Sequence, residues 1–332
     1  MAGALQRAWL RRGPLACALW PLSLLYGAAV RLRKAGYALG LARARHVPVP
    51  VVVVGNVVAG GAGKTPVVIA LLDHLRARGL RAGVVSRGHG RASKGCVEVT
   101  PASDPRDSGD EPLLVATRCG VPVVVDADRP NAAHTLLQRH PGVQVLVADD
   151  GLQHLALARD IEVLVYDVRG TGNGWLLPAG PLREPVPRAA DLVVKPAALA
   201  TTEGHAIARR LGTEARRADG TVRDLRELAR EPCAAVAGIA QPQAFFAMLR
   251  EAGVPLVHAL ALADHDPIDA PLPPLEGAKH LLCTQKDAPK LWRTRPDAWA
   301  VELQVAIDDS FWLAFDALLD AKLSSTHGPQ TA

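Results

Sequence analysis

The chain has 332 residues, a formal charge of +5, many aliphatic and few aromatic side chains, which suits about two domains built from α/β layers. Its five cysteines, Cys17, Cys96, Cys119, Cys233 and Cys283, are odd in number, scattered and without C-x-x-C spacing, which excludes a disulfide framework and a zinc site and points to a reducing compartment. No basic patch interleaved with aromatics and no nucleic-acid motif is present, so a polynucleotide partner is not expected.

The charge is unevenly spread. Residues 1 to 72 carry nine Lys or Arg and no acid, and the remaining 260 residues sum to −4. Inside this basic stretch lies the uncharged 18-residue run from Gly13 to Val30, flanked by Arg11 and Arg12 on one side and Arg31, Arg33 and Lys34 on the other. At about 1.5 Å per residue it would barely cross a bilayer core. Basic flanks at both ends, with Pro14 and Pro21 inside, favour residues 1–45 as a segment lying in an anionic leaflet. A buried core helix, a single span and a signal peptide are the alternatives; export would strand a nucleotide loop outside the cell.

That loop follows at once. In "VVVVGNVVAGGAGKTP" the β-branched run Val51 to Val54 predicts a central parallel strand buried on both faces. Pro66, Val67, Ile69, Ala70 and Leu71 predict the start and packing face of a helix. Between them Gly60, Gly61, Ala62, Gly63, Lys64 and Thr65 form a phosphate-binding tail: glycines admit phosphate to backbone N–H groups, Lys64 reaches the β/γ oxygens and Thr65 holds Mg²⁺. The usual first glycine is absent, since Val58 stands there, so a paired-glycine G-G-x-G-K-T loop is expected to make the turn.

Strand and helix signals then alternate through "RAGVVSRGHGR", "GVPVVVDADR", "GVQVLVADDGLQH", "IEVLVYDVRG" and "ADLVVKP". They predict an α/β fold, a P-loop NTPase-type doubly wound parallel sheet with its ligands at the carboxyl ends of the strands. A further set, "CAAVAGIAQPQAFFAMLREAG", "HLLCTQKDAPKL" and "AWAVELQV", predicts a smaller α/β domain. The expected division is 46–190 for nucleotide binding, 191–323 for the smaller domain and 324–332 for a disordered polar tail, with Pro178 to Arg188 and residues 203 to 231 as connecting regions.

Asp149 and Asp150 end an apolar strand where P-loop proteins place a carboxylate for Mg²⁺, and Glu184 in "PLREP" is a further candidate ligand. Asp110 and Glu111 in "SGDEP" read locally as a helix start favourable to the dipole, and His265 in "LADHDP" stands between two carboxylates that could tune it. Ser86, Arg87, His89 and Arg91 of "SRGHGR", with Arg129 and Arg183, lie in glycine-rich or strand-end surroundings suited to a phosphorylated substrate. A membrane-associated NTPase switch is the competing reading. It would want a lysine before the paired glycines, where this chain has Ala59, and a GTPase would want N-K-x-D, which "TQKDAP" lacks.

In order along the chain, "PLSLLYG", the P-loop, "SRGHGR", "SGDEPLLVA", "DADR", "DDGLQH", "LLPAGPLREP", "AGIAQPQAFF", "ADHDP" and "TQKDAPKL" closely resemble the tetraacyldisaccharide 4'-kinase family, the lipid A 4'-kinases of the Gram-negative inner membrane. The resemblance implies ATP and Mg²⁺ as cofactors and an acylated disaccharide 1-phosphate lipid as substrate. It also implies attachment to the anionic cytoplasmic face of the inner membrane and a catalytic pair, Asp110 with His265; no obligate protein partner is inferred. His89 stands where the family usually has tyrosine, and Gln285 where it has glutamate.

Overall fold

The computed structural model describes residues 8–61, 63–200 and 203–326. Thirteen strands join in one sheet: β1 (Val51–Gly55), β2 (Ala82–Ser86), β3 (Val97–Val99), β4 (Val123–Val125), β5 (Val145–Asp149), β6 (Ile161–Val165), β7 (Leu192–Pro196), β8 (His205–Arg216), β9 (Val222–Asp224), β10 (Cys233–Ala237), β11 (Leu256–Ala261), β12 (His280–Thr284) and β13 (Trp299–Ile307). Their order is β11-β10-β12-β13-β8-β7-β6-β1-β5-β2-β4-β3, with β9 paired to β8. The helices of ten residues or more are α1 (Pro14–Ala38), α2 (Lys64–Ala77), α3 (Asp110–Cys119), α4 (Arg129–Arg139), α5 (Pro242–Glu251) and α6 (Asp309–Thr326).

Strand β1 lies between β5 and β6, parallel to both. All five of its residues are buried, as a β-branched run between two helix layers requires. Val52 and Val54 face one core with Leu71, Leu75, Leu113, Phe311 and Phe315. Val51 and Val53 face the other, with Ala132, Leu136, Leu152 and Leu182. The alternation puts α2, α3 and α6 on one side and α4 on the other, the doubly wound arrangement expected. Two separate cores lie around β10, β12 and β13, one built on Phe245, Phe246 and Trp299, the other on Leu281, Cys283 and Leu291.

The segment from 203 to 231, expected as a connection, instead holds the twelve-residue strand β8. It runs parallel to β7 and antiparallel to β13, so it joins the two groups of parallel strands into one sheet. Its arginines and alternating small residues hid it: only Gly212 and Ala215 are fully buried along its length. The chain also returns to the first half at its end, because Phe311, Phe315 and Leu319 of α6 pack into the core of β1 and α2. Ser324 to Thr326 close that helix instead of opening a tail, and positions 327–332 lie outside the described residues.

Helix α1 and Arg12 just before it dock on the loop between β6 and β7 and, through Arg33, on Gln153 between β5 and β6. Arg12 Nε donates to the Asn173 carbonyl at 3.1 Å. Ser23 Oγ donates to the Leu176 carbonyl at 2.8 Å and accepts the Ala179 N–H at 3.0 Å. Tyr26 Oη donates to the Arg183 carbonyl at 2.8 Å. Lys34 pairs with Glu184 and Arg33 donates to the Gln153 carbonyl. Gly27 allows the close approach, since a Cβ there would stand 2.8 Å from Leu176 Cδ1 and displace that side chain. Leu15, Leu22, Leu24, Leu25 and Leu32 of α1 stay exposed, while Trp20 lies against Trp175 of the docked loop at 6.3 Å between ring centroids. Among the described residues α1 is the one helix long and apolar enough to cross a membrane, with a mean hydropathy of 1.5.

Candidate active site

The P-loop leaves β1 through Asn56, whose amide donates to the Val58 carbonyl at 2.8 Å and whose Oδ1 accepts from Lys64 Nζ at 3.4 Å. Val58 is buried and bridges Leu182 in strand fashion. Position 58 is therefore a packing site, and the turn comes later, at Gly60 and Gly63, with φ of +89° and +77°. That left-handed backbone favours glycine. Gly63 caps α2, so the helix begins at Lys64 with its dipole directed at the loop. Ala62 lies outside the described residues. Arg169 holds the loop from behind, donating to the Ala59 and Gly61 carbonyls at 3.3 and 3.2 Å while Asp167, fully buried, grips its guanidinium. Neither residue was singled out from the sequence, because an arginine bonded to backbone carbonyls leaves no local pattern.

A cavity of about 640 Å³ opens from the loop, lined by Gly60, Gly61, Gly63, Lys64 and Thr65 on one wall. Ser86, Arg87, His89, Arg129, Asp149 and Asp150 reach it from the carboxyl ends of β2, β4 and β5. From the other half come Ile239, Gln241, Asp264, His265 and Lys286, and Tyr26 and Arg33 of α1 stand at its edge. The two halves touch at the loop, where a Cβ on Gly61 would lie 2.7 Å from that of Ala240.

Asp149 and Asp150 are adjacent but differently placed. Asp149 is buried, its Oδ1 has no hydrogen-bond partner, and burial pushes its carboxyl up to about 6. Asp150, at φ +51°, accepts both 2.8 and 3.0 Å bonds from Arg183 and lies 3.4 Å from Lys64. Burial acts to raise it, but Lys64 and Arg183 outweigh burial and hold it below the usual carboxylate range. Arg183 is thus committed to a carboxylate within the fold.

Three other residues chosen from the sequence are held by partners within the fold. Glu184 is 1% exposed and enclosed by Lys34, by Gln153 Nε2 at 2.8 Å and by Arg188 Nε at 3.2 Å. Arg91 closes its own loop on Gly95 and Ser93. Arg129 is buried, bonded to the carbonyls of Asp126 and Asp149 at 2.8 and 3.3 Å, and desolvation brings its guanidinium down to about 10. It fixes the strand ends that carry the carboxylates.

Across the cavity, His265 sits in a left-handed turn with φ +62°. Its Nδ1 is 3.0 Å from Asp110 Oδ2, joining residues 155 apart in sequence. Nε2 lies 3.5 Å from Glu111 Oε1, 3.8 Å from Asp264 Oδ1 and 3.4 Å from Lys286 Nζ. The Asp110 bond, against burial, raises the imidazole above its ordinary value, with Glu111 and Asp264 adding to the effect. For Asp110, burial is outweighed by the His265 bond and by Lys290 and Lys286, so the carboxyl stays below its ordinary range. His265 lines both the large cavity and a second one of about 240 Å³, whereas Asp110 lines only the second. The ring therefore presents Nε2 to the large cavity with Asp110 behind it.

Lys286 and Lys290 were not singled out from "TQKDAPKL", because their carboxylate partners Glu111 and Asp110 lie on a distant helix and leave no local pattern. Lys286 pairs with Glu111 at 2.9 Å and Asp264 at 3.1 Å. Another residue missed was His154 of "DDGLQH", which lines the large cavity. Burial, together with Arg129 and Arg87, lowers it to about 4, so it enters the site as a neutral hydrogen-bonding ring.

Comparisons with known proteins identify the relatives of this chain. The family model for tetraacyldisaccharide-1-P 4'-kinase matches residues 15–323. The tetraacyldisaccharide 4'-kinase of Acidovorax ebreus is 51% identical over 329 residues, covering 98% of this chain and 97% of its own. That of Delftia acidovorans is 50% identical over 332 residues, covering 99% and 97%. The crystal structure of LpxK from Aquifex aeolicus in complex with ATP superposes with a TM-score of 0.81 at 29% identity, over 93% of this chain and 99% of that one. Matches of sequence and fold over nearly the whole chain leave one conclusion: this chain belongs to the tetraacyldisaccharide 4'-kinase family.

Proposed function

We propose that the protein transfers the γ-phosphate of ATP to the 4'-hydroxyl of a tetraacyldisaccharide 1-phosphate, at the cytoplasmic face of the inner membrane. One observation carries this reading: the P-loop, His265 with Asp110 behind it, and Tyr26 and Arg33 of helix α1 all meet at a single cavity. A nucleotide phosphate seated on Gly60–Thr65 and a lipid headgroup arriving past Tyr26 and Arg33 would meet in front of His265.

In this mechanism Asp110 accepts a hydrogen bond from Nδ1–H and fixes the ring, leaving the Nε2 lone pair toward the cavity. The 4'-oxygen attacks the γ-phosphorus, its proton passes to Nε2, and the bond from phosphorus to the β–γ bridging oxygen breaks. Lys64 balances charge on the migrating phosphoryl group, and Lys286 is positioned to do so from the opposite side.

The residues fit a Mg²⁺ ion. Asp149 presents a buried carboxylate oxygen without a partner, and Thr65 lies on the same cavity wall. Phosphate oxygens and water would complete the shell of such an ion. When bound there, Mg²⁺ would neutralise the phosphate oxygens. Glu184, paired with Lys34 and Arg188, serves to tie α1 to the site.

Helix α1 binds the protein from Ser23 to Lys34, so its leucine face rests in the membrane surface instead of leading away across it. The chain's basic N-terminal stretch adds attraction for anionic lipid. Incubation of the purified protein with labelled ATP and the disaccharide lipid tests the assignment. Label on the 4'-oxygen of the lipid is the expected product; ATP hydrolysis without it, or label at another hydroxyl, overturns the reading.

A further inference from the structure

Behind the Asp–His pair lies a buried ammonium group that phosphate binding does not explain. Lys290 is 5% exposed and its Nζ stands 3.0 Å from the same Asp110 oxygen that His265 Nδ1 contacts. It borders the second cavity and not the one at the P-loop. Its placement is built in. Asp287, fully buried, lies 3.8 Å from Nζ, and Asp287 is itself held by the Gly238 N–H at 3.0 Å and the Thr284 hydroxyl at 2.7 Å. A charge this deeply enclosed costs stability unless its partners are fixed, and here they are.

We propose that Lys290 is a positioning residue that sets the proton affinity of the pair, sharing the Asp110 carboxylate with His265 so that Nε2 is left unprotonated and able to accept the hydroxyl proton. The inference rests on the reading of His265 as the base. The charges around the ring show why such a counterweight is needed. Asp110 and Glu111 from α3 and Asp264 from its own loop all favour imidazolium. Lys286 beside Nε2 and Lys290 behind Asp110 oppose it. His89 packs edge-on at 5.7 Å between centroids. Arg106 and Arg293 also border the second cavity, but they pair with Asp269 and Asp104. With one ammonium group gone, three carboxylates would face one lysine, and the ring would hold its proton to higher pH. A protonated Nε2 cannot act as base.

The test combines a pH–rate profile with the NMR titration of the His265 Cε1 proton. In Lys290→Met the acidic limb of kcat/KM and the His265 titration should both move up by about one pH unit, a tenfold loss at neutral pH that is regained at alkaline pH. Lys290→Arg, which keeps the charge, should leave both near their wild-type positions. Should the methionine variant not fold, Lys290→Gln, which keeps a donor without the charge, carries the same expectation. A uniform loss across pH with the His265 titration unmoved overturns the proposal. A His265 titration that moves while the rate profile stays fixed would instead support the role of Lys290 and remove His265 as the base.

Discussion

Replacing Asp110 by Asn keeps the shape of the side chain and its place behind His265 but removes the charge that stabilises imidazolium. Asp110 and the ring are 3.0 Å apart and largely screened from solvent. Unit charges about 4 Å apart interact by about 4 kcal/mol at an effective dielectric near 20. Each 1.36 kcal/mol is tenfold in rate, and some of the charge effect is felt in the ground state, so turnover should fall about 10²–10³-fold. The sign of the pH effect is fixed too. His265 is raised by Asp110 in the wild type, so base activity is lost as pH falls through a value above the ordinary imidazole range. In Asp110→Asn that limb should move to lower pH, opposite to the shift expected for Lys290→Met. His265→Ala should cost about 10²–10⁴-fold, and the double variant should be scarcely worse than the poorer single one, because groups acting as a unit are non-additive. The assay is turnover with labelled ATP and lipid, with ATP affinity measured separately by calorimetry and expected to change little. Additive losses, or near-normal turnover in His265→Ala, would refute the reasoning.

Lys64→Ala should nearly abolish phosphoryl transfer with an unchanged melting profile, and Thr65→Ala should behave likewise; turnover within a few-fold of wild type in either would remove the P-loop from the mechanism. Gly61→Ala would force its Cβ within 2.7 Å of Ala240, an overpacking worth about 1–3 kcal/mol. ATP affinity should fall accordingly and be restored by adding Ala240→Gly, and a failure of that rescue would show that the contact between the two halves does not govern nucleotide binding. Arg11, Arg31 and Arg43 are exposed. Changing all three to Gln should weaken sedimentation with anionic vesicles by about a hundredfold, at about 1 kcal/mol per charge; binding indifferent to salt and to these changes would point to a spanning helix.

The local features of the chain were legible because their physics is local. Val51 to Val54 declared a strand buried on both faces, and Gly60 to Thr65 declared a turn, a helix start and an anion site, since β-branched sterics and positive φ act within a few residues. The missing glycine at position 58 was also readable as harmless, though the reason, a buried bridge to Leu182, lies 124 positions away and is tertiary. The strand β8 was hidden because its partners β7 and β13 supply the burial that its own arginine-rich sequence does not announce. The roles of charged residues depended most on the fold. Glu184 and Arg183 carry the same residue types as metal ligands and phosphate clamps, yet Lys34 from α1 and Asp150 from the end of β5 claim them. Lys290 gives no sign in sequence that it completes the Asp110–His265 pair. A charge acts through space with a strength set by distance and burial, and sequence spacing fixes neither once the partners lie on different elements.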